Sequence, residues 1–249
     1  MIDIHSHIIP GVDDGAESTD EALAMLGIAA SGGVSTIVAT PHFDPGSGYE
    51  NVVSSSLEER FLRLEYSAGA EGIPVKLVKG MEIFAGEDVP YMLEDGLLWT
   101  LGGTDYILTE FAFTEDPAFC REYLRRCARR GFKPIIAHPE RYVFIQHHPQ
   151  IAYEWCREGY GLQLNRGSLL GRFGEQAEIT ALRLVKHGLA ACIASDAHGA
   201  DRRSTYLKDV KEFLDSEMGE EYSDLLLNRN PARILAGKEL LGFEPYPFI

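Results

Sequence analysis

Short apolar runs of strand character alternate with amphipathic helical stretches along this chain, and nearly every run ends in a histidine or a carboxylate. The first run alternates Ile2 and Ile4 with Asp3 and His5, a period of two, so His5 and His7 are offered to one side where the strand stops. A capping box at Ser18-Thr19-Asp20-Glu21 opens a helix whose apolar face is Ala22, Leu23, Leu26, Ala29 and Ala30, closed by Gly32-Gly33. Further strands are predicted over 34–40, leading to Pro41-His42, over 74–80, leading to Glu82, and over 106–109, leading to Glu110. The next three cover 133–137, closed by His138, 161–165, and 190–195, which runs into Asp196-Ala197-His198. Helices are predicted over 57–71, 89–93, 117–130, 150–158 and 176–187 and from 205 onward.

Seven strand–helix units, with no internal repeat and no linker-like stretch, predict one domain over residues 1–249. Regular alternation implies a parallel sheet, and right-handed crossovers close seven or eight such units most simply into an α/β barrel. Barrel chemistry sits at the C-terminal ends of the strands. His5, His7, His42, Glu82, Glu110, His138, Asp196 and His198 all fall there, and Asp14 follows a Pro10-Gly11 turn from which it can close over the same point. The remaining histidines, His147, His148 and His187, fall on helix faces and in turns. Imidazole is the commonest protein metal ligand, so the pattern predicts a metal centre.

A balance of 23 Lys and Arg against 38 Asp and Glu gives −15 and disfavours nucleic acid as an extended ligand, leaving room only for a nuclease working at a cationic metal centre. No apolar run is long enough to span a bilayer, and the segment ahead of His5 lacks the basic and apolar parts of a signal peptide, so a cytoplasmic protein is expected. The four cysteines, Cys120, Cys127, Cys156 and Cys192, are scattered and suit buried, reduced thiols. Cys120 to Arg126 satisfies the Cys-x5-Arg signature of thiol-dependent tyrosine phosphatases, but its strong helix formers and lack of glycine oppose a phosphate-wrapping loop.

The series His-Ser-His, Asp-Asp-Gly, Thr-Pro-His, Glu-Ile, Thr-Glu-Phe, Ala-His-Pro-Glu-Arg-Tyr and Ser-Asp-Ala-His resembles the polymerase and histidinol phosphatase (PHP) superfamily. More narrowly, it is similar to the bacterial manganese-dependent protein tyrosine phosphatases of capsule and exopolysaccharide loci. The resemblance covers nearly the whole chain and implies a distorted seven-stranded, TIM-like (β/α) barrel of PHP type with three divalent metal ions. It places His5, His7 and Asp196 on one ion, with Glu82 bridging to a second held also by Glu110 and His138, and Asp14, His42 and His198 on a third. Arg141 and Arg203 match the family's phosphate-contacting arginines, with Arg202 adjacent to the latter.

Five imidazoles and four carboxylates form a nitrogen and oxygen donor set suited to manganese, iron or zinc. Three divalent ions would leave the site at about +2, able to draw in a phosphate dianion despite the acidic surface. The implied reaction is hydrolysis of phosphotyrosine by a metal-activated hydroxide, with guanidinium groups gripping the phosphate. Phenolate, with a pKa near 10, leaves with little help from an acid, a part open to His198 or a bound water. The implied substrate is a phosphotyrosine protein, a bacterial tyrosine autokinase, without membrane insertion; oligomerisation is left open. The alternatives are a histidinol-phosphatase-like or other PHP phosphoesterase, a metal-dependent amidohydrolase, and a non-catalytic metal-bound partner protein. The loop 44–56 is expected to be either a substrate-contacting lid or a plain surface loop.

Overall fold

The computed structural model describes residues 1–201, 203–242 and 245–248. Ten strands are present among them: β1 (Ile2–Ser6), β2 (Thr36–Ala39), β3 (His42–Asp44), β4 (Tyr49–Glu50), β5 (Lys76–Lys79), β6 (Glu82–Phe84), β7 (Tyr106–Glu110), β8 (Lys133–Ala137), β9 (Gly161–Asn165) and β10 (Cys192–Ala194). The principal helices between and after them are α1 (Thr19–Ser31), α2 (Ser55–Ala70), α3 (Val89–Glu94), α4 (Pro117–Arg129), α5 (Gln150–Arg157), α6 (Glu175–Lys186) and α7 (Lys208–Met218). Helix α1 starts as expected, with the Ser18 side chain accepting from the Glu21 amide.

The strands form two ladders rather than one continuous sheet. One runs β1-β2-β5; the other runs β10-β9-β8-β7-β6-β3-β4. All pairings are parallel except the β3–β4 hairpin. Each of two expected strands is divided. The run 34–40 stops at Thr40-Pro41, where proline has no N–H for the ladder, and resumes as β3, so His42 opens a second strand instead of trailing the first. The run 74–80 likewise breaks at Gly80 and resumes as β6 with Glu82 at its head. A Cβ at Gly80 would lie 2.6 Å from Val38 Cγ1, so only glycine admits this close approach. β1 meets the end of β10 through His7 N–H to Ala197 O and Asp196 N–H to His5 O, each 2.9 Å.

Successive strand residues alternate between two buried apolar clusters. Ile37, Ile107, Ile136 and Ile193 belong to the larger, with the helices, whereas Val38, Leu108, Ile135, Ala137, Cys192 and Ala194 belong to the smaller. Both faces of the sheet are therefore covered, as parallel strands require. The alternation that puts Tyr106 and Leu108 in the smaller cluster places Glu110 beyond them, at the C-terminal end of the same face. Tyr142 fixes this end: its hydroxyl accepts from Phe111 N–H at 3.1 Å and donates to Ala137 O at 2.8 Å, tying the residue after Glu110 to the residue before His138. Among the described residues no helix is long and apolar enough to cross a membrane.

Candidate metal centre

The chain reverses sharply at two of the predicted ligands. His138 (φ 34°) and Asp196 (φ 50°) are the non-glycine residues with positive φ among those described, a conformation costing about 1–3 kcal/mol each. Both are held by neighbours: His138 O accepts from Arg141 N–H at 3.0 Å, and Asp196 N–H is fixed on His5 O. His138 thereby meets Glu82, and the Asp196 carboxylate meets His5 and His7.

Glu82 lies at the centre of the polar cluster. Its Oε2 is 3.1 Å from His5 Nε2, 3.2 Å from His7 Nε2 and 3.2 Å from His42 Nδ1, and its Oε1 is 3.0 Å from His138 Nε2. Glu110 lies 3.5 Å from His138 Nε2 and 3.9 Å from His42 Nδ1. Asp196 Oδ1 is 3.4 Å from His5 Nε2, 3.6 Å from His7 Nε2 and 3.5 Å from His198 Nδ1. Asp14 Oδ1 is 3.5 Å from the Nε2 atoms of both His42 and His198. All nine predicted side chains thus meet in one place. Their donor atoms gather as His5, His7, Glu82 and Asp196; as His42, Glu82 and Glu110, beside His138; and as His7, Asp14, His42 and His198. The first group is fully buried, while Asp14, with its side chain 48% exposed, marks the mouth.

Groups that the sequence reading did not single out orient these side chains. His5 Nδ1 donates to Gln163 Oε1 at 2.8 Å, Gln163 Nε2 donates to Asn165 Oδ1 at 2.8 Å, and Asn165 Nδ2 donates to Asp196 Oδ2 at 2.6 Å. His7 Nδ1 donates to Asp13 Oδ2 at 2.8 Å, and the same oxygen accepts from His42 N–H. Both imidazoles therefore turn Nε2 towards the carboxylates. Gly15 permits this packing, since a Cβ there would lie 2.0 Å from His7 O. Gln163 and Asn165 did carry a signal, as polar residues at alternate positions of a fully buried strand.

Electron-rich atoms facing one another in a buried site demand positive charge. Glu82 Oε2 is buried with no hydrogen-bond partner, and His5 Nε2 lies 3.2 Å from His7 Nε2. Burial opposes charge on His5 and His7, yet carboxylates raise both above the ordinary imidazole value: Glu82 and Asp196 for His5, Asp13 foremost for His7. Burial also opposes the anionic forms of Glu82 and Asp196, which the imidazoles nevertheless hold well below the carboxylate range. Burial, with Glu82 and Asp196 nearby, pushes Glu110 up to about 9. Burial lowers His42, His138 and His198 below the ordinary imidazole value. This donor set fits divalent cations: they satisfy every one of these atoms at once, which a few protons do not.

Two guanidinium groups border the cluster. Arg203 Nη2 is 2.5 Å from Asp196 Oδ2, and Arg141 Nη1 is 3.7 Å from the same oxygen. Arg141 also lies over the rings of Phe113 (4.4 Å) and Phe173 (4.7 Å), and Arg203 over Phe173 (5.4 Å). Arg202 lies outside the described residues. Cys120 is fully buried inside α4, where burial pushes its thiol far up, so Cys120 to Arg126 forms no phosphate loop. The segment 44–56 runs from the end of β3 through a tight turn and β4 to the start of α2, and Asn51 Nδ2 donates to Val12 O and His42 O, each 2.9 Å, anchoring it beside His42.

The sequence profile described as capsular polysaccharide synthesis, CpsB/CapC, matches residues 1–236. Among relatives, the tyrosine-protein phosphatase YwqE of Bacillus subtilis is 34% identical over 247 residues, covering 99% of this chain and 96% of that protein. The tyrosine-protein phosphatase CpsB of Streptococcus pneumoniae is 30% identical over 240 residues, covering 94% and 98%. A chain from the crystal structures of YwqE from Bacillus subtilis and CpsB from Streptococcus pneumoniae, described as unique metal-dependent tyrosine phosphatases, superposes with a TM-score of 0.93 at 34% identity, covering 100% of this chain and 100% of that one. A lactonase from Listeria monocytogenes shares the fold alone, with a TM-score of 0.64 at 15% identity, covering 95% of this chain and 94% of that one.

Proposed function

The chain belongs to the capsular polysaccharide synthesis CpsB/CapC family and is a metal-dependent protein-tyrosine phosphatase, and we propose that the nine-residue cluster is its catalytic metal centre. The single observation that carries this assignment is the buried Glu82 carboxylate facing three imidazole nitrogens at 3.1–3.2 Å with no hydrogen-bond partner at Oε2. In this reading His5, His7, Glu82 and Asp196 hold one ion, Glu82, Glu110 and His138 a second, and Asp14, His42 and His198 a third. The nitrogen and oxygen donors suit manganese, with iron or zinc as substitutes. Such ions supply Lewis acidity, lowering the pKa of water towards neutrality and cancelling phosphoryl charge.

The chain's own residues bind and orient the ester. Arg203 spends part of its five N–H donors on Asp196, while Arg141 Nη1 stays 3.7 Å from the same carboxylate, so both keep donors for phosphate oxygens. Their stacking on Phe113 and Phe173 restricts the forks before substrate arrives. His198 has no proton to spare: Nδ1 donates to Asp196 O at 3.0 Å and Nε2 faces Asp14. It therefore serves as a ligand rather than as the acid, and the phenolate, of pKa near 10, leaves without one.

The same reading joins the two ladders into one distorted seven-stranded barrel over a single domain of residues 1–249, supported by the β1–β10 hydrogen bonds and by the runs β2–β3 and β5–β6. It extends to a bacterial tyrosine autokinase as the phosphotyrosine protein, supported by the capsular character of the family, and to the cytoplasm, supported by four free cysteines.

Parallel assays of a phosphotyrosine peptide, histidinol phosphate and simple amides test the assignment. Phosphotyrosine should be the substrate turned over, with activity lost on chelation and restored by manganese. Preferential cleavage of either other substrate, or turnover indifferent to chelation, contradicts it. Cys120→Ser should retain activity within about twofold, since a buried helical thiol touches no reacting atom. Asp13→Asn, which loosens His7, should weaken manganese binding about 10–100-fold in a direct titration.

A further inference from the structure

We propose that the cleft between the β3–β4 hairpin and Phe113 is the binding site for the aryl ring of the substrate, with Tyr49 and Phe113 as the residues that select aromatic over aliphatic phosphate esters. This inference rests on the phosphatase reading above. The cleft, about 290 Å³, opens directly from the metal centre: Asp14, His42 and Glu110 lie along it, and Tyr49, Phe84 and Phe113 supply aromatic walls. A phosphoryl group bound at the cluster therefore points its ester oxygen into a space bounded by rings.

Both walls are fixed before substrate arrives. Tyr49 stacks on His42 with centroids 5.6 Å apart and planes 15° from parallel, and Asn51 anchors its hairpin. Phe113 stands edge-on to His138 at 6.1 Å, lies beneath the Arg141 guanidinium, and holds Val143 N–H on its carbonyl at 2.8 Å. It is nevertheless 38% exposed, an apolar ring open to water beside a charged site. A phenyl ring entering the cleft covers that surface and gains offset or edge contacts with both walls. A seryl or small alkyl phosphate lacks a ring to make those contacts, so the same cluster holds it by phosphate alone. The anchored hairpin thus acts as a preformed wall.

Competitive inhibition by two non-hydrolysable anions, benzylphosphonate and ethylphosphonate, isolates the ring because their headgroups are the same. Wild-type hydrolysis of an aryl phosphate in the presence of manganese, the reporter reaction, tests the phosphatase reading separately. The wild type should prefer benzylphosphonate, and Tyr49→Ala and Phe113→Ala should each reduce that preference about tenfold. Tyr49→Phe and Phe113→Tyr, which keep the rings, should restore it. Because Tyr49 touches a ligand, Tyr49→Leu and manganese content accompany the alanine variant; a ratio of inhibition constants is unmoved by a uniform loss of metal. An unchanged benzyl-to-ethyl ratio in the Phe113 and Tyr49 variants overturns the proposal, as does a ratio near one in the wild type.

Discussion

Glu82→Gln is expected to lower kcat/KM by at least about a thousandfold and to strip bound manganese, while the protein still folds. Among the described residues Glu82 is the one carboxylate that reaches both the His5–His7–Asp196 group and the His138–Glu110 group, within 3.0–3.2 Å of four imidazoles. Glutamine keeps the shape but replaces the central negative charge with a neutral amide. Ions held through that side chain would lose the negative charge that offsets their mutual repulsion. The fold should survive, because without ions Glu82 is itself a buried carboxylate with an unsatisfied oxygen. Metal analysis, turnover and a thermal melt on the same preparation read the three effects apart. A Glu82→Gln protein with full manganese and wild-type turnover would remove Glu82 from the centre.

Arg141→Lys and Arg203→Lys should each cost about a hundredfold in kcat/KM with manganese content unchanged. Lysine keeps the charge but loses the paired N–H donors that match two phosphate oxygens, and it loses the flat contact with Phe113 and Phe173. Retained metal with lost turnover separates these residues from the ligands. If either variant instead released manganese at wild-type catalytic efficiency per bound ion, that arginine would be acting on Asp196 alone, to which both are already paired.

Much of this cluster was legible in the sequence because histidines and carboxylates at strand ends are a one-dimensional pattern. His5 and His7 follow from period two, and Glu110, His138 and Asp196 follow from where apolar runs stop. What the sequence did not show was partnership across strands. Asp13 is one residue from Asp14 yet holds the His7 ring and the His42 amide, leaving the His42 ring to Asp14, and the relay from His5 through Gln163 and Asn165 to Asp196 depends on β1, β9 and β10 lying side by side. The breaks that divide two expected strands arise at Pro41 and Gly80, visible as residue types but not as bends until their neighbours are placed. Phe113 and Phe173 gave no periodic signal at all; their place beneath the arginines comes from loops.

Anomalous scattering from crystals of the manganese-loaded protein tests the central claim most directly. The account predicts manganese peaks within bonding distance of Glu82, with His5, His7 and Asp196 on one side and Glu110 and His138 on the other, and a further peak among Asp14, His42 and His198. Anomalous density absent from around Glu82 in active, manganese-loaded protein would contradict it.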